Sequence, residues 1–110
     1  MEDIPNDFKR RGFSPCQLSD FSKHLGRHHQ SINNWFNQLE EGRIHYVNRS
    51  TGGKERVYDY QDYLIGYYIA TKRDNDWGVK AIFEQLPSEP QLQLRPFPES
   101  YDVSLNNEIS

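Results

Sequence analysis

The chain has a single cysteine, Cys16, and a single methionine. One cysteine excludes a disulfide framework within the chain, and a reducing cytoplasm suits that composition. Long apolar runs are missing as well. The longest, near Leu64 to Ala70, is far too short to cross a bilayer, so no membrane partner is expected. The opening residues, Met1-Glu2-Asp3-Ile4-Pro5, are acidic and carry no apolar stretch, which argues against a secretory leader. There is no Gly-rich phosphate loop, no Gly-x-Ser-x-Gly and no paired carboxylate motif, so no catalytic residue and no cofactor are expected. A metal is not expected either. His24 and His28 stand four apart, but Gly26 between them should break the helix that would align them. Cys16, His29 and His45 add no recognised ligand spacing.

Hydrophobic residues are scarce at 35%, whereas aromatics reach 14%, so aromatic side chains must carry much of the core. The 110 residues suffice for one small domain with one modest core. The formal net charge of -3 excludes a nucleic-acid binder by bulk charge, yet the charge is split. Residues 9–56 hold nine basic side chains (Lys9, Arg10, Arg11, Lys23, Arg27, Arg43, Arg49, Lys54, Arg56) against four acidic ones (Asp20, Glu40, Glu41, Glu55). After Arg56 the balance reverses to nine acidic against four basic. That asymmetry points to a polyanionic partner for the first half.

The most informative stretch runs from His28 to Leu39. Ile32, Trp35, Phe36 and Leu39 recur at the three-and-four spacing of one helical face. The other face carries His29, Gln30, Asn33, Asn34 and Asn37. A merely solvated face would more often carry Glu and Lys, and Asn is a mediocre helix former. Asn and Gln amides donate and accept at once, and can hold the N6/N7 edge of adenine with two bonds in a major groove.

The flanks add context. Residues 1–13 read as an arm in which Lys9-Arg10-Arg11 can lie on phosphates. Ser14-Pro15-Cys16-Gln17 reads as a helix start, although the start can instead lie nearer Ser19, with Leu18, Phe21 and Leu25 on the buried side and Gly26 as the stop. A short turn and a second helix then make a helix-turn-helix, whose second helix meets the groove. That helix should end near Glu40-Glu41-Gly42. Residues 43–49 and 55–58 are rich in strand formers and flank a Ser-Thr-Gly-Gly-Lys turn. They read as a β-hairpin with Arg49, Lys54 and Arg56 at its tip and edges. Its charges could instead simply keep sheet edges soluble. Asp59 can cap a third helix over 60–73, with Asp62 in its first turn and Lys72 and Arg73 at its end. A short fourth helix over 77–86 turns Val79, Ile82, Phe83 and Leu86 inward. The expected core joins Phe21, Leu25, Ile32, Trp35, Phe36, Leu39, Ile44, Val57, Tyr63, Trp77 and Ile82. From Pro87 to Ser110 prolines interrupt every helix. That segment reads as an acidic tail, extended or disordered, whose Leu92, Leu94, Phe97, Tyr101 and Ile109 can dock on a partner or on the domain.

Four pieces in this order resemble the MerR-like winged-helix DNA-binding family. They are Phe21-Ser22-Lys23-His24-Leu25-Gly26, Ser31-Ile32-Asn33-Asn34-Trp35, Arg56-Val57-Tyr58-Asp59-Tyr60-Gln61-Asp62 and Trp77-Gly78-Val79-Lys80-Ala81-Ile82. The resemblance covers residues 14–86 and is closest to the short, excisionase-like forms, because a Pro-rich tail replaces the long dimerisation helix. It implies a mostly α fold with a β-hairpin wing, a winged helix-turn-helix of four helices and a two-stranded wing. It also implies major-groove entry by the second helix, backbone contact by the wing, and self-association on DNA as a dimer or array. Asn33 and Asn34 stand where Arg is common in the family, so adenine contacts are expected.

The resulting expectation is a cytoplasmic, phage- or plasmid-type protein that binds double-stranded DNA. Base reading falls to His29, Gln30, Asn33, Asn34 and Asn37. Phosphate contacts fall to Lys9, Arg10, Arg11, Lys23, Arg27, His28, Arg43, Arg49, Lys54 and Arg56, with Tyr58 added by the resemblance. The alternative is a protein-interaction module acting through the acidic, Tyr-rich helices 60–86, with the helix-turn-helix as scaffold.

Overall fold

The structure is a computed structural model that describes residues 14–50 and 55–99. Lys9, Arg10, Arg11, Lys54, Tyr101 and Ile109 lie outside the described residues. Four α-helices form: α1 (Leu18–Leu25), α2 (His29–Glu41), α3 (Tyr60–Asp74) and α4 (Val79–Gln85). Two 3-10 turns, Leu86–Ser88 and Pro90–Leu92, follow α4.

The α1–α2 junction follows from two residues. Gly26 takes φ 68°, a left-handed step that only glycine makes without strain, and its N–H closes on the Ser22 and Lys23 carbonyls. His28 then enters α2 in extended geometry, and its Nδ1 accepts the Gln30 N–H at 3.1 Å. The imidazole thus does the work of a Ser or Asp cap. Of the two starts the sequence offers for α1, the later one, near Ser19, lies next to the observed one. The first helical residue is Leu18, and Gln17 provides no side-chain cap. Cys16 instead exchanges two backbone hydrogen bonds with Tyr58, at 2.9 and 2.7 Å.

The core is aromatic. Phe21 of α1 stacks on Tyr58, with centroids 4.3 Å apart, and meets Phe36 of α2 edge-on at 5.7 Å. Ile32, Leu39, Ile65, Ile69 and Ile82 fill the space around them and are fully buried. Gly66 lets α3 close on α1, since a Cβ there would stand 2.7 Å from Leu25 Cδ1. α3 opens with a reciprocal box: Asp59 accepts the Asp62 N–H and Asp62 accepts the Asp59 N–H. Trp77, expected in the core, is 37% exposed. The Asn75–Asp76 turn, with Asp76 at φ 68°, carries it outward, and the Lys72 ammonium covers its ring at 4.4 Å. Ile44 and Val57, also expected inside, are half-buried.

The winged architecture expected from the sequence is not what forms. Among the described residues there is no strand and no sheet, only two isolated bridges, Cys16 with Tyr58 and Arg49 with Arg56. The physical reason lies in where residues 44–47 send their N–H groups. Ile44 and His45 donate to the Leu39 carbonyl, Tyr46 to the Arg95 carbonyl and Val47 to the Glu40 carboxylate. A backbone whose donors are taken by a helix end, a distant loop and a buried side chain has none left for a ladder. The ladder survives only as the Ser50–Glu55 and Val57–Asn48 bonds.

The proline-rich segment returns to the domain. Leu86 and Leu92 are fully buried, Leu94 packs against the core, and Phe97 meets Tyr46 edge-on at 5.5 Å. Arg95 is its anchor. Its guanidinium reaches Asp59 at 2.8 Å, Asp62 at 3.3 Å and the Tyr46 carbonyl at 2.8 Å.

Candidate nucleic-acid interface

α2 divides into three stripes. Ile32, Trp35, Phe36 and Leu39 face the core. His29, Gln30, Ser31 and Asn34 are exposed, and no carboxylate lies among them. Between the two runs Asn33, Asn37 and Glu40, spaced four and three apart, so they line one edge of the helix.

That edge meets a cluster of charge. The Glu40 side chain is 0% exposed and receives Arg49 at 2.8 and 2.9 Å, Arg56 at 3.0 Å and the Val47 N–H at 2.9 Å. Burial alone would raise the Glu40 carboxyl, but the Arg49 hydrogen bond, the Arg56 charge and the Val47 N–H outweigh it. The group is held below its ordinary value. Arg56, with a side chain 2% exposed, also donates to Asn33 Oδ1 at 3.2 Å and Asn37 Oδ1 at 2.6 Å. A cleft of about 480 Å³ opens beside this cluster, lined by Gln17, Ser19, His29, Gln30, Asn33 and Glu55 among others.

The expected phosphate contacts are sorted by this geometry. Arg49, Arg56 and Tyr58 are internal groups. The two guanidiniums are committed to Glu40, and Tyr58 is 1% exposed beneath Phe21, with its phenol pushed up by burial. None of the three faces a phosphate in this arrangement, and the reason is the buried Glu40, which draws both arginines inward. Lys23 and His28 are exposed. Arg27 pairs with Asp74 at the end of α3, and Arg43 lies over the Phe97 ring at 5.5 Å. Of the base-reading candidates, His29, Gln30 and Asn34 are exposed, and Asn33 and Asn37 are half-buried against Arg56.

Sequence reasoning missed Glu40 and His45. Glu40 read as one more acid at a helix end, although its register with Asn33 and Asn37 was visible. His45 forms a buried pair with Asp62, Nε2 to Oδ1 at 2.6 Å, both side chains 0% exposed. Its Nδ1 accepts the Arg95 backbone N–H at 2.9 Å, so the proton sits on Nε2 and points at the carboxylate. Burial pushes the Asp62 carboxyl up, against the pull of the His45 bond. Both imidazole nitrogens are thereby committed, and the pair fastens the proline-rich segment to α3. Cys16 is half-buried with its thiol pushed up by burial, the reverse of an activated nucleophile. Among the described residues no three His, Cys, Asp or Glu side chains gather as a metal site, and no helix is long and apolar enough to cross a membrane.

Comparison with protein-family models, with curated proteins and with solved structures returns no match.

Proposed function

We propose that this protein binds duplex DNA without catalysing a reaction, presenting the N-terminal half of α2 to the major groove. The observation that carries the reading is the chemistry of the exposed stripe. His29, Gln30, Ser31 and Asn34 offer amide, imidazole and hydroxyl groups with no carboxylate among them. The helix beneath them is fixed by Ile32, Trp35, Phe36 and Leu39 and by a tight turn from α1. Gln30 and Asn34, four residues apart, keep both halves of their amides available for adenine. Lys23, His28 and the Asp74-paired Arg27 flank the stripe and supply phosphate contacts, together with Lys9, Arg10, Arg11 and Lys54. Use in transcriptional control, or in excision or partition at repeated sites, follows from such binding.

The test is selection from a random duplex pool, followed by gel shift of the enriched site in one and two copies. Expected are a sequence preference, affinity that falls linearly in log–log against salt, and loss of preference in a Gln30→Ala, Asn34→Ala double variant. Each lost two-bond contact costs about 1–3 kcal/mol. Indifference to every duplex at low ionic strength refutes the reading.

One observation favours a protein partner instead. An apolar groove of about 520 Å³ runs between Ile44, Val79 and Phe83, rimmed by Gln38, Lys80 and Glu84. Val79→Lys leaves duplex binding intact under the first reading and abolishes binding of the protein partner under the second.

A further inference from the structure

The contact between Arg56 and α2 bears on which bases α2 can read. A guanidinium has five donors and no acceptor. Whatever faces it must therefore be an oxygen, and both Asn33 and Asn37 turn Oδ1 toward Arg56. Their planar amides then direct Nδ2 away from the cluster. Neither Nδ2 has a partner among the described residues, and neither is a buried unpartnered nitrogen, so both reach solvent. The lock is firm because Arg56 cannot turn away: its Nη2 is held by the fully buried Glu40.

We infer that Arg56 is a positioning residue that converts Asn33 and Asn37 into hydrogen-bond donors, so that these two positions select acceptor edges, guanine O6/N7 or thymine O4, rather than adenine. This rests on the DNA-binding reading above. Adenine needs an amide that accepts from N6 while donating to N7. An oxygen already bound by an interior cation is a poor partner for N6. Asn34 and Gln30 escape the lock and keep the adenine option. The adenine contact expected for Asn33 from the sequence is revised accordingly. One helical turn separates Asn33 from Asn37, roughly 6 Å along the axis. Base pairs rise about 3.4 Å each, so the two donors address base pairs one or two steps apart.

The experiment has two arms on the duplex selected from a random pool. In the first, the wild-type protein is titrated against copies of that duplex with one acceptor deleted at a time, 7-deazaguanine for guanine (no N7) or 5-methyl-2-pyrimidinone for thymine (no O4), or with adenine methylated at N6. Asn33→Ala and Asn37→Ala locate the positions each residue reads. At those positions the acceptor deletion should weaken binding roughly tenfold, and N6 methylation should not. In the second arm, Asn37→Asp keeps an oxygen for Arg56 but deletes the donor, and its selected base should switch to cytosine, whose N4 donates. If the wild type prefers a sequence but N6 methylation is what weakens the Asn33 and Asn37 positions, the inference falls and the DNA reading stands. An unchanged base under Asn37→Asp in a folded variant has the same meaning. If no duplex is enriched at all, both fall.

Discussion

Replacing Glu40 by Gln isolates the charge in the interior. The carboxylate is fully buried and satisfies two guanidiniums and one backbone N–H. Gln keeps the shape and one oxygen but turns an NH₂ toward groups that can only donate. Breaking one side of a buried pair leaves the other side uncompensated, and the cost is about 3–5 kcal/mol. For a domain of this size each kcal/mol lowers Tm by roughly 4–8 °C, so the variant should melt at least about 12 °C below wild type. Urea titration followed by circular dichroism gives the free-energy difference directly. The sign of its pH dependence is fixed by the depressed Glu40 value. In the unfolded chain a glutamate titrates near 4.3. The stabilisation is therefore complete above that pH and disappears as pH falls through the lower folded value. The gap between wild type and Glu40→Gln should accordingly be constant near neutrality and close in acid. A triple change that replaces Glu40, Arg49 and Arg56 with apolar residues of similar volume should recover much of the loss, since a dry core is no worse than a paired one. A Glu40→Gln loss under about 1 kcal/mol would show that water rather than the arginines solvates this carboxylate, and a gap that persists in acid would show that the loss does not come from its charge.

Two further changes probe the frame around α2. Leu92→Ala empties a fully buried site under the proline-rich segment and should cost about 2–5 kcal/mol in the same urea titration. Gly26→Ala meets no atom within 4 Å, so its cost is the backbone alone, about 1–2 kcal/mol for an L residue held at φ 68°, read as a fall in Tm.

The helices were legible because their signals are local. Leu18, Phe21 and Leu25 repeat at helical spacing, Gly26 has to stop what they start, and Asp59 with Asp62 spells out a cap. Residues 43–58 misled because strand propensity describes how side chains suit a sheet, not whether the backbone donors are available. Those donors are claimed by Leu39, Glu40 and Arg95. The same distance hid the Arg56 contact. Asn33 and Asn37 look like free amides on a helical wheel until Arg56, nineteen residues past Asn37, is placed beneath them. Prolines between 87 and 98 correctly forbade a long helix, but nothing in their spacing says that Leu92 and Arg95 return to the core.

That return has a bearing on the order of events in folding. α1 and α2 touch across a three-residue turn and can associate as soon as both exist. The seam closed by Arg95 joins groups up to fifty positions apart and must wait for nearly the whole described chain. Damage to the seam is then expected to quicken unfolding while leaving refolding almost untouched, which unfolding and refolding rates would show. Whatever prises residues 92–97 away would admit water to the imidazole–carboxylate pair first, with α2 still packed against α1.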